Sequence, residues 1–122
     1  MKYNSYICIT KVKPIKNFKI MKYSIYQVAE ESKESFYLLF ASLEMVNNMG
    51  LHVNEDHYNK VYEGEIKESD TMLDDIYCKF NLHRPNDFKC HSLSVSDVVE
   101  IEGKFYFCDS YDWVQILNFK TN

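Results

Sequence analysis

Hydrophobic and polar positions alternate over residues 5–12 (SYICITKV). Tyr6, Cys8 and Thr10 share one parity and Ile7 and Ile9 the other, a period of two that predicts a β-strand. Pro14 ends this strand or confines it to a sheet edge. Residues 18–29 (FKIMKYSIYQVA) are β-branched and aromatic and predict a second strand. The period then changes. Phe36, Leu39, Phe40, Leu43 and Val46 follow the i, i+3, i+4, i+7 rule, the core stripe of one helix over residues 32–50. Ser32 caps it, Gly50 closes it in the left-handed conformation, and Leu51 folds back on it. A strand is expected over residues 57–67 and a second helix over residues 69–82. In that helix Leu73, Ile76, Tyr77 and Phe80 share a face. Thr71 and Asp74 form a variant capping box, Asp74 and Asp75 suit the positive helix start, and Asn81 and Pro85 end it.

The remainder reads as β. Leu93, Val95, Val99 and Ile101 have one parity and Ser92, Ser94 and Ser96 the other. Phe105 and Phe107 alternate with Tyr106 and Cys108, Gly103 turns the chain between two antiparallel strands, and residues 112–119 (DWVQILNF) form a last strand. The order β-β-α-β-α-β-β-β, with short connections, predicts a single α+β domain over residues 1–122. Its sheet is mainly antiparallel, of about five to six strands, and packs against two helices. Asp97 falls on the core parity. A carboxylate there is costly unless hydrogen-bonded, so a bulge or turn at Ser96–Asp97 is expected, with the aspartate bonding nearby backbone N–H groups.

Composition sharpens this picture in three ways. At 122 residues and 46% apolar the chain can bury a core without disulfides or metals. It has neither an apolar run of membrane-spanning length nor the apolar region of a secretory signal, so a cytoplasmic protein is expected. Charge is divided: residues 1–29 carry +6 and residues 30–122 carry −10, a basic leading segment on an acidic body. Lys11, Lys13, Lys16, Lys19 and Lys22 are therefore candidates for meeting phosphates, or form a solvated strand face.

The richest chemistry lies in residues 84–113 (RPNDFKCHSLSVSDVVEIEGKFYFCDSYDW). Cys8, Cys78, Cys90 and Cys108 have no metal-site spacing, and adjacent Cys90 and His91 would point to opposite faces of a strand, so no metal is expected. A cysteine nucleophile at Cys90 or Cys108 would need a nearby histidine and a lowered pKa. Asp109 beside Cys108 acts the other way, and Cys8, Cys78 and Cys108 read as buried thiols. His91, Asp97 and Asp109 are the set that nuclease-like acid–base chemistry would use. Three glycines, at 50, 64 and 103, make no phosphate-cradling loop, so no nucleotide cofactor is expected. Tyr106, Tyr111 and Trp113 lie among Glu100, Glu102, Asp109 and Asp112. Such an acid-rimmed aromatic set is either a partner-binding patch or an edge of the core.

The segments GLHVNEDHYNKVYEGEI, LDDIYCKFNLHRPNDFKCHSLSVSDVVEI and FYFCDSYDWVQI, preceded by YSIYQV, together resemble the YodL-like domain over roughly residues 20–119. RPNDFKCHSLSVSDVV carries the most specific part of the likeness. Two departures stand out: Cys90 where the family favours glycine, and Ser110-Tyr111-Asp112-Trp113 where it favours Ser-Phe-Gly-Phe. The resemblance implies a module of plasmids and conjugative elements of low-GC bacteria, with no established catalytic residues to carry over. Small free-standing proteins of this look include anti-CRISPR inhibitors of the type II RNA-guided nuclease, acidic proteins that block guide-RNA loading or DNA engagement. The leading expectation is such an inhibitor, non-enzymatic, with the nuclease or its guide RNA as partner and no cofactor. The alternatives are a ribonuclease-like factor acting on guide RNA and a non-catalytic accessory module of conjugation.

Overall fold

The computed structural model describes residues 19–31 and 33–120. The strand expected over residues 5–12 lies outside them, as do Cys8, Lys11, Lys13, Lys16 and the expected cap Ser32. The described residues form an α+β domain on one five-stranded sheet: β1 (Ile20–Val28), β2 (Tyr58–Lys67), β3 (Val98–Ile101), β4 (Lys104–Cys108) and β5 (Trp113–Ile116). All neighbours are antiparallel, in the order β2-β1-β3-β4-β5. β1 thus sits between β2 and β3, which explains why its second half, Ile25–Val28, is buried residue after residue rather than alternately. The β1–β2 register steps between Ile25 and Tyr26, leaving Val61 as the extra residue of a bulge. Glu102 and Gly103, with φ 50° and 88°, make the two-residue turn between β3 and β4 at the expected glycine.

Strand alternation divides the interior in two. On one face Tyr23, Ile25, Val99 and Ile101 pack with Ile76 and Phe80 of the helix Met72–Leu82, and with Phe88 and Leu93. On the other, Tyr26, Tyr58, Val98, Phe105 and Phe107 pack with Leu38, Ala41, Val46 and Phe119.

The helix expected over residues 32–50 is two short ones, α1 (Lys33–Phe36) and α2 (Leu43–Asn48); Met72–Leu82 is α3. Between them Phe40 takes φ 62° and donates its N–H to Ser96 Oγ (3.0 Å), while the Leu43 N–H bonds Asp109 Oδ1 (3.0 Å). Ser42 caps α2, accepting from the Met45 N–H. The break turns the expected stripe: Phe36 and Phe40 are more than half exposed, and Leu38 and Ala41 take their places in the core. Gly50 (φ 74°) closes α2, and the Leu51 N–H reaches back to Val46 O as expected.

Three smaller expectations are also revised. Thr71 makes no capping bond to the backbone; its hydroxyl donates to Asp75 Oδ2 (3.0 Å), and Ser69 Oγ accepts the Thr71 N–H. The strand before Gly103 begins only at Val98, because residues 93–97 turn, and Ser96 is enclosed. Cys78 is exposed rather than buried, on the outer side of α3.

Candidate functional site

Of the set suggestive of catalysis, His91 and Asp97 meet at one buried node, while Asp109 is engaged elsewhere. Asp97 is fully enclosed; its Oδ2 accepts the Ser94 N–H (2.8 Å) and Gln27 Nε2 (3.0 Å), the backbone-bonded turn expected of it. Gln27 also donates to His91 O (3.0 Å), which joins His91 to the same node. His91 Nδ1 lies 2.7 Å from Ser92 O and donates to it. Both His91 Nε2 and Asp97 Oδ1 are buried without a hydrogen-bond partner among the described residues. Burial pushes the Asp97 carboxyl up to about 8, against the opposing pull of the Ser94 N–H and Gln27. Beside it, the Tyr58 hydroxyl donates to Ser96 O (2.6 Å) and burial raises its pKa. Burial, then Asp97 and Asp109, push the Cys108 thiol up to about 12, the opposite of an activated nucleophile. Asp109 works elsewhere. Its Oδ1 accepts from the Leu43 and Ser110 N–H groups, tying the start of α2 to the turn before β5. Among the described residues no group of three His, Cys, Asp or Glu side chains could hold a metal ion.

The acid-rimmed aromatic residues fare differently. Glu102, Tyr106, Asp112 and Trp113 line one cleft of ≈ 640 Å³ between the start of α3 and the β3–β4 hairpin. Met21, Met72 and Leu73 give it an apolar floor, and Asp70 and Asp74 add to its rim, where Lys104 is the one cation among the described residues. Asp109, Tyr111, Asp112 and Trp113 line an adjoining cleft of ≈ 240 Å³ with Asp74 and Tyr77. Glu100 lies apart: it follows Val99 on β3 and so faces the opposite side from Tyr106, where it accepts the Tyr26 hydroxyl (3.0 Å). The Glu102 carboxylate also accepts the Lys22 N–H (3.0 Å), closing the hairpin against the first strand.

Of the lysine candidates, exposed Lys19 and Lys22 stand at the start of β1. Lys22 shares a shallow cleft with Glu63, Glu65 and Glu100, a mixed surface rather than a basic one.

The sequence pattern did not single out Gln27, Asp70 or Asp74 for the site. Gln27 could have been found as the lone amide in a run of buried residues. Asp74 was assigned to the helix start, a role that conceals its second one.

The family model described as YodL-like domain matches residues 22–119. The chain belongs to the YodL-like domain family. No curated protein and no solved structure matches it. The match spans every described strand but the first two residues of β1, so the YodL-like domain here is the sheet with its helices. Both departures from the favoured YodL-like pattern fall at informative places. Cys90 is half-buried next to the Asp97 node, packed against the α3-side core. Asp112 and Trp113 line both clefts, and Tyr111 lines the smaller one. Among the described residues no helix is long and apolar enough to cross a membrane.

Proposed function

We propose that this YodL-like domain is a non-catalytic binding module that docks a basic surface of a partner protein in the acidic, aromatic-walled clefts beside Trp113. The observation that carries this reading is the cleft itself: four carboxylates, Asp70, Asp74, Glu102 and Asp112, around an apolar floor with Trp113 and Tyr106. Asp97 and Asp109, the carboxylates that would have served hydrolysis, hold backbone N–H groups instead, which favours binding over chemistry. The partner we propose is a type II RNA-guided nuclease of a bacterial host. Its positively charged nucleic-acid channel is complementary to an acidic body, and occupying it would hinder guide-RNA assembly or DNA cleavage in the cytoplasm. This is the anti-CRISPR reading of a mobile-element protein.

The test is DNA cleavage by the nuclease with the protein added before or after guide loading, together with co-elution of the two proteins. Inhibition strongest before loading is expected; full cleavage in both orders without co-elution overturns the nuclease as partner. The guide RNA is run on a gel from the same reactions. Shortened RNA that becomes intact with His91→Ala would replace binding by the ribonuclease-like reading. Co-elution without any effect on cleavage would leave an accessory binding role.

A further inference from the structure

We infer that the meeting point of the two clefts, at Asp74, Asp112 and Trp113, anchors one arginine side chain carried on an extended segment of the partner. The inference rests on the groove being the docking surface and adds the chemistry of what enters it. These three residues line both clefts and so stand where the two adjoin. Asp74 comes from the first turn of α3 and Asp112 from the turn before β5, so two separate elements bring carboxylates to this point. Both are exposed, and neither is in an ion pair among the described residues. The neighbouring Asp75 is different: it is held by the Thr71 hydroxyl at the helix start, leaving Asp74 to the cleft.

Trp113 supplies the third element. It is half-buried, and its indole packs edge-on with Tyr77 at 6.4 Å between ring centroids, which fixes a flat aromatic wall beside the two acids. A guanidinium group is planar and weakly hydrated. It stacks on an indole while its N–H fork bonds carboxylates on either side. A lysine ammonium is compact and strongly hydrated and gains less from the flat wall. A nucleic-acid backbone is repelled by the same carboxylates.

Trp113 is the single tryptophan of the chain, so its fluorescence reports this point directly. The full chain is titrated with capped Gly-Arg-Gly and with the lysine and citrulline counterparts, citrulline being the neutral isostere of arginine. A saturable change is expected with arginine, about tenfold weaker with lysine and absent with citrulline. Asp74→Asn and Asp112→Asn should each weaken the arginine peptide about fivefold with an unchanged circular dichroism spectrum, and Lys104→Glu should tighten it. Equal binding of arginine and lysine, a response to citrulline, no saturable change, or Asp variants that bind like the parent would each overturn the anchor. Its failure is separable from that of the docking reading. If Trp113→Ala abolishes nuclease co-elution while the peptides show no arginine preference, the groove stands and the anchor falls. If the arginine peptide binds as expected and the nuclease does not co-elute, the anchor stands and the partner assignment falls.

Discussion

Asp97 shows how a residue that looks chemical can be architectural. Its carboxyl titrates near 8 when folded and near 3.8 when free, so between those values the folded chain holds a proton that the unfolded chain has lost. The stabilisation linked to that proton is fully present below about pH 4, declines as pH rises and is exhausted above about pH 8. A slope of at most about 1.4 kcal/mol per pH unit follows. Urea denaturation from pH 5 to 8 should therefore show the parent losing stability with pH relative to Asp97→Asn; parallel curves would refute the buried, protonated carboxyl. The cysteines give a second residue-scale prediction. Cys78 is exposed, Cys90 half-buried and Cys108 buried with its thiol pushed up to about 12. In a Cys8→Ser background a disulfide reagent should label Cys78 at once, Cys90 more slowly and Cys108 only on unfolding. Rapid loss of three thiols in the folded protein would contradict the packing around Cys108. The turn at Asp97 was legible because an isolated carboxylate on a core parity demands backbone partners. The exposure of Cys78 was not, because a thiol on a helix reads equally well on either face.

Elements governed by local sequence were the legible ones. The two-residue turn at Gly103, the closing Gly50 and the face of α3 bearing Ile76 and Phe80 follow from residues within a few positions of each other. The split between α1 and α2 does not. It is set by hydrogen bonds from Phe40 and Leu43 to residues 56 and 66 positions away, and a helical period persists in the sequence across the break. Gly64 illustrates the same limit in a strand. It lies opposite Tyr23 in the β1–β2 register, and a Cβ there would meet the Tyr23 hydroxyl at 2.7 Å and Cζ at 2.8 Å. Tyr23 is buried between Tyr62 and Phe80 and has little room to yield. Gly64→Ala should destabilise the domain by about 1–3 kcal/mol in urea denaturation. Adding Tyr23→Phe, which removes the nearest atom, should make the pair less damaging than the sum of the single changes. Additive losses would show that the ring is not what restricts position 64.

At the scale of the molecule the divided charge and the departure from the YodL-like pattern converge on one place. The acidic body concentrates carboxylates where Tyr111, Asp112 and Trp113 replace the favoured Phe-Gly-Phe, and of these Trp113 also packs against the α3-side core. Tyr111 is 98% exposed, Asp112 is exposed, and Trp113 is only half-buried at the start of an edge strand. Exposed aromatic and acidic side chains of this kind are where the proposed docking would gain its binding energy. The triple change Tyr111→Phe, Asp112→Gly and Trp113→Phe restores the family-favoured pattern and tests this directly. Thermal unfolding should shift by only a few degrees, while affinity for the proposed nuclease partner should fall about tenfold or more. The charged rim adds a second signature: parent binding should weaken as salt rises from 50 to 300 mM, mainly through a slower association rate, and Asp70→Asn with Glu102→Gln should flatten that dependence. A triple variant that binds like the parent would place the partner on another face. Salt-insensitive binding would mean that the aromatic wall, and not the acidic rim, selects the partner.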